Sequence, residues 1–113
     1  MALSDLSDRA AVIAAMREYD RTGRSAFLEK YGFGKSREFM IWDSDSGTLY
    51  DSKPIAGAAH GYQFPNKGPL RFNQFSGGEA TVKPKLEALG FEVVRIGGDW
   101  SIREVEVVVT GLS

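Results

Sequence analysis

Tyr62, Phe64, Phe72 and Phe75 interleave with the cations Lys67 and Arg71 and with the amides Gln63, Asn73 and Gln74. Aromatic faces stack on bases, cations neutralise phosphates and amides read base edges, so this mixture is the one that base recognition draws on. Immediately afterwards, Ser76-Gly77-Gly78-Glu79 has the S-x-x-E spacing of a capping box. A helix is expected to start there, and two glycines in its first turn would let a phosphate approach the free N–H groups at the positive end of the dipole. A plainer reading stands beside each element. The box is then only a helix start, and Phe72 and Phe75 are core plugs that anchor the loop.

Hydrolytic chemistry finds less support. Asp43 or Asp45 followed by Asp51-Ser52-Lys53 imitates the acid, then acid-x-lysine order of a large class of metal-dependent nucleases. That chemistry needs the acid and lysine on one strand edge facing the metal, whereas Pro54 and an alanine-rich helical stretch follow at once. His60 is the only histidine, so no two-histidine metal site or HNH metal finger can be assembled. Ser52 and Asp51 lie nearby in sequence, but no G-x-S-x-G elbow accompanies them. The expectation is no catalytic residue, no metal and no cofactor. His60 then makes a structural hydrogen bond near the end of its helix or, alternatively, a polar contact to a phosphate or base edge from a pocket shared with Tyr62.

A formal net charge of −1 argues against binding nucleic acid through overall basicity. Distribution matters more. From Ser52 to Lys85 the cations are Lys53, Lys67, Arg71, Lys83 and Lys85, opposed by Glu79 alone, while most of the other acids gather at the N-terminus, around Asp43 to Asp51 and from Glu87 onwards. A solvated face or a ligand site explains such a bias equally well. With 113 residues and no cysteine, the chain is expected to form one domain, residues 1–113, without disulfides and in a reducing cytoplasm. No apolar run has membrane-spanning length.

The elements that must position these residues follow from periodicity. Leu6, Ala10, Ile13 and Met16 recur at helical steps, which predicts a helix over residues 5–20, and Phe27 and Tyr31 with Gly32 behind them predict a short second helix packed on it. Residues 37–43 and 48–50 read as a hairpin around Gly47. Ser52 and Pro54 open an alanine-rich helix ending near His60, and residues 61–73 form a long ordered loop. A helix over residues 79–89 would contain Pro84 in its interior. Strands are expected at residues 91–96 and 102–109, about a turn at Gly97-Gly98-Asp99, with Trp42 and Trp100 as structural aromatics. The fold class is α+β: an N-terminal helical pair packed on a small, mostly antiparallel sheet with inserted short helices.

The words YDSKPIAGAA (50–59), FSGGE (75–79) and LEALGFEV (86–93) carry a resemblance, covering roughly residues 10–95. In this stretch the chain resembles the N-terminal head domain of McrA-like, modification-dependent HNH endonucleases. The resemblance implies a module of a bacterial defence enzyme that precedes modified-base or sulfur-binding modules and a nuclease domain. It makes duplex DNA, plain or modified, the expected partner, with other domains of the parent endonuclease and a second copy of the chain as further partners. The residues expected at DNA are Lys53, His60, Tyr62, Gln63, Lys67, Arg71, Ser76, Gly77 and Gly78. Two other roles remain open: a protein-interaction or dimerisation module of the same enzyme, and a divergent metal-dependent nuclease.

Overall fold

The structure is a computed structural model in which residues 3–35, 39–75 and 81–96 are described. After a 3-10 turn at Leu3–Asp5, helix α1 spans Arg9–Thr22. Asp8 caps it from extended backbone, its side chain accepting from the Ala10 amide at 2.9 Å. The later start shifts the buried face from the stripe the sequence suggested. Ala10 is exposed, and Ala11, Val12, Ala15, Met16 and Tyr19 face the core instead. Leu6, fully buried, is a separate plug ahead of the helix, and burying such a side chain contributes about 1.5–3 kcal/mol.

Gly23 ends α1 and begins α2 (Arg24–Tyr31). At +87° its φ suits glycine, and so does the +76° of Gly32, which closes α2 with its amide donating to the Leu28 and Glu29 carbonyls. The Phe27 and Tyr31 rings meet at 4.8 Å between centroids, as their spacing predicts.

Strand β1 (Phe39–Asp43) pairs antiparallel with β2 (Thr48–Asp51) around a turn in which the Asp43 carboxylate accepts from the Asp45 amide and the Ser46 hydroxyl. Its other edge pairs antiparallel with β3 (Glu92–Arg95), giving the order β2-β1-β3 among the described residues. Alternation sorts the side chains by face. Phe39, Ile41, Tyr50 and Val93 join the main core, whereas Met40, Val94 and Ile96 form a second cluster with the half-buried Trp42 and Leu49.

Helix α3 (Ser52–Gln63) packs most extensively against α1 and is buried along most of its length. Asp51 stands at its cap position without a side-chain cap bond, and the Ser52 hydroxyl donates to the Phe39 carbonyl instead. The helix continues past His60 to Gln63, so the loop begins at residue 64 rather than 61. Helix α4 (Val82–Ala88) starts late enough that Pro84 falls in its first turn, where no intrahelical N–H is missed. The architecture is therefore α+β with helices packed against an antiparallel sheet. The capping box at residues 76–79, the Gly97-Gly98-Asp99 turn, Trp100, residues 37–38 of the first strand and the strand expected at 102–109 lie outside the described residues. No described helix is long and apolar enough to cross a membrane.

Candidate nucleic-acid interface

Helix α3 is the bed on which the cationic loop lies. Gly57 and Gly61 stand one turn apart on it, and neither has room for a side chain. A Cβ at Gly57 would meet the Leu70 carbonyl oxygen at 2.7 Å and the Phe33 ring at 2.9 Å, and one at Gly61 would meet the Pro69 nitrogen at 2.7 Å. This closeness lets the Leu70 amide donate to the Gly57 carbonyl at 3.0 Å. His60, between the two glycines and fully buried, donates from Nδ1 to the Gly68 carbonyl at 3.0 Å. Its Nε2 is buried with no partner among the described residues.

The loop is tied internally as well. The amides of Lys67 and Gly68 donate to the Phe64 carbonyl, closing a turn in which Gly68 has φ +79°. Gln74 closes a second turn twice: its amide donates to the Arg71 carbonyl at 3.0 Å, and its Oε1 accepts from the Arg71 amide at 2.7 Å. Lys53 Nζ donates to the Phe72 carbonyl at 2.6 Å and stands 5.2 Å from the centre of the Phe75 ring, whose edge meets Phe33. Burial pushes the Lys53 ammonium below the ordinary lysine value.

Between this loop and the C-terminal end of α2 opens a cleft of about 580 Å³. Lys67, Arg71 and Gln74 line one side, and Lys30, Tyr31, the Gly32 backbone and one acid, Glu29, line the other. Among the described residues neither Lys67 nor Arg71 pairs with a carboxylate, although the Lys67 ammonium stands 5.7 Å over the Phe64 ring. Lys30 pairs with Glu18, a carboxylate only 3% exposed that also accepts from the hydroxyls of Tyr31 at 2.6 Å and Tyr62 at 2.7 Å. Burial alone would push the Glu18 carboxyl up. The hydrogen bonds from Lys30, Tyr31 and Tyr62 outweigh it and hold the carboxyl below its ordinary value, while the bond to Glu18 raises Lys30. A second cleft, of about 270 Å³, sets Arg9 and Arg17 among Asp43, Asp45 and Glu92, a mixture less suited to a polyanion.

The residues expected at DNA are thus distributed unevenly. Lys67 and Arg71 share the cleft. Lys53 is half-buried and engaged with Phe72 and Phe75. Tyr62 is 42% exposed with its hydroxyl on Glu18, and Gln63 serves α1, its Oε1 accepting from the amides of Ser7 and Asp8. His60 lies inside the fold, away from any surface a phosphate reaches. Ser76, Gly77 and Gly78 lie outside the described residues. Phe72, read from the sequence as a core plug, is 56% exposed, because the turn closed by Gln74 and Lys53 fixes its backbone at the surface. Sequence reasoning missed Lys30 and Glu18, which are brought together by folding alone. The Gly57/Gly61 spacing was a legible sign of close backbone approach.

The nuclease-like acids do not converge. Asp51 is fully buried and accepts from Arg24 Nε at 2.8 Å, Arg24 Nη2 at 2.9 Å and the Tyr19 hydroxyl at 2.6 Å, whereas Asp43 holds its own turn. Among the described residues no three His, Cys, Asp or Glu side chains are grouped to hold a metal ion.

A protein-family model described as the ScoMcrA-like N-terminal head domain matches residues 4–95. Among solved structures, that of the type IV phosphorothioation-dependent restriction endonuclease ScoMcrA is similar at 26% identity with a TM-score of 0.58. The match covers 83% of this chain and 14% of that chain, so the present sequence spans a small part of the endonuclease's length. No curated protein matches significantly. On the strength of the match over residues 4–95, the chain belongs to the family of ScoMcrA-like N-terminal head domains.

Proposed function

We propose that this chain is a non-catalytic DNA-recognition or positioning domain of a modification-dependent, type IV-like restriction endonuclease. One observation carries the reading: Lys67 and Arg71, without carboxylate partners among the described residues, stand with Lys30 around one cleft, on a loop locked to α3. Fixed cations of this kind hold phosphates and set orientation, and an amide such as Gln74 among them can donate to phosphate or base. Tyr62 and Gln63 sit at the end of the same helix, and DNA that follows the loop passes them. The helix start expected at Ser76, Gly77 and Gly78 would extend the phosphate track, with Lys53 and His60 supporting the loop from behind.

Because the similar endonuclease is phosphorothioation-dependent, the informative duplexes carry a phosphorothioate linkage, methylcytosine, methyladenine or no modification. Fluorescence-anisotropy titration at two salt concentrations should show binding to all four. Lys67→Ala with Arg71→Ala should weaken every complex and reduce the salt slope by about 0.9 per lost contact. Incubation with plasmid and Mg²⁺ or Mn²⁺ should leave the DNA intact, and cleavage would restore the nuclease alternative. If no duplex binds more tightly than about 10⁻⁴ M at low salt, the DNA reading fails. The interaction-module reading then takes its place, favoured by the half-buried Trp42 and Leu49 at the margin of the second cluster, and light scattering should show a concentration-dependent dimer.

A further inference from the structure

We propose that Phe72 is a base-stacking residue: its ring packs against a nucleobase that has left, or is easily drawn from, the stack. The proposal rests on the DNA-binding reading and deepens it.

Phe72 is the most exposed large apolar side chain among the described residues, at 56%, yet its carbonyl and the turn around it are tethered. Gln74 braces the turn from both sides, and Lys53 Nζ holds the Phe72 carbonyl from α3 at 2.6 Å. A ring left in water forgoes the burial that drives folding, and here the turn is built to keep it there. No described aromatic ring stacks on it, whereas Phe64 and Phe75 each pair with a neighbouring ring.

Its surroundings decide the partner. Arg71 precedes it and Asn73 and Gln74 follow it, all exposed, while Lys67 shares the cleft with Arg71 and Gln74. A protein-binding hot spot needs a contiguous apolar patch from which water is excluded, and one ring among cations and amides does not supply it. A nucleic acid needs this arrangement: one flat apolar face for a base, cations alongside for its phosphates, and no requirement for a particular base. Phenylalanine has no polar atom with which to read an edge. Its contribution is therefore indifferent to base identity and greatest where stacking is already weak, at a mismatch, at a flexible step or in a single strand.

The test compares three fluorescein-labelled DNAs of equal length: a perfect duplex, the same duplex with a central mismatch, and one single strand. The unaltered chain should bind the mismatched or single-stranded DNA about tenfold more tightly than the perfect duplex, within the range that one stacked base supplies. Phe72→Ala should abolish that preference while leaving perfect-duplex affinity and salt slope little changed, and Phe72→Trp should preserve it. Being exposed, the site tolerates both changes, and circular dichroism checks the fold. A preference that is absent, that survives in Phe72→Ala, or that is equally strong in Phe72→Leu overturns the proposal. So does a loss of self-association in Phe72→Ala by light scattering, which assigns the ring to a protein contact. If Lys67→Ala and Arg71→Ala still weaken binding, only the stacking role falls. If no DNA binds, the functional reading falls with it.

Discussion

His60 Nδ1 donates to the Gly68 carbonyl across 3.0 Å, joining the interior of α3 to the turn that carries Lys67. The bond puts a proton on Nδ1 and makes the imidazole a strut under the loop. His60→Ala should remove both the strut and a fully buried side chain, lowering stability by about 2–4 kcal/mol in urea titration. His60→Asn, whose amide nitrogen falls near the Nδ1 position, should cost appreciably less if the hydrogen bond matters as well as the volume.

Gly57→Ala and Gly61→Ala test the close approach of loop and helix. Alanine favours a helix over glycine by about 0.8–1.0 kcal/mol, so an unobstructed site would gain stability. Here the new methyl meets backbone at 2.7 Å in both cases, and each variant should instead lose about 1–3 kcal/mol. On the proposed DNA-binding role, affinity for DNA should fall as well, with no change of charge, because Lys67 and Arg71 move with the displaced loop.

Glu18 should give the chain an acid-labile limb. Its carboxyl is held below the ordinary value of 4.5, so its contribution is fully present above that pH and is lost as pH falls through the lowered folded value. Tyr31, raised above the ordinary 10.0 by burial and by its bond to Glu18, acts in the opposite direction. Its contribution is present below about pH 10 and is lost as pH rises through the folded value. Urea midpoints across pH should fall off at both ends, and Glu18→Gln should flatten the acid side.

Arg24→Met should leave the fully buried Asp51 carboxylate without its cationic partner, a loss of a kind that costs about 3–5 kcal/mol. The 27% exposure of the Arg24 side chain should place the loss near the lower figure. Adding Asp51→Asn to Arg24→Met should recover part of it, and a double-mutant cycle by chemical denaturation should report a coupling of about 0.5–3 kcal/mol.

What could be read from the sequence was local. The helical pair, the Phe27 and Tyr31 contact, the hairpin around Gly47 and the cationic bias of the loop all follow from residues close together in the chain. What could not be read depends on distant partners. Leu6 falls in step with the α1 pattern, yet the Asp8 cap excludes it from the helix. Lys53 resembled a free cation until the Phe72 carbonyl, 19 residues away, occupied it. Gln63 resembled a base reader, and the start of α1, 55 residues earlier, uses its amide oxygen. Exposure of Phe72 runs against the general preference of its residue type, and only the braced turn explains it.

Tyr50 and Asp51 are consecutive, and each reaches the helical pair: the Tyr50 hydroxyl donates to Asp20, while Asp51 accepts from Tyr19 and Arg24. Strand β2 therefore cannot peel from β1 without releasing the junction of α1 and α2, nor can α2 swing away without uncovering a buried carboxylate. In the language of native-state exchange, the first two helices and the hairpin should open as one foldon. Their amide protons should become accessible to solvent in the same rare event, with one common opening free energy.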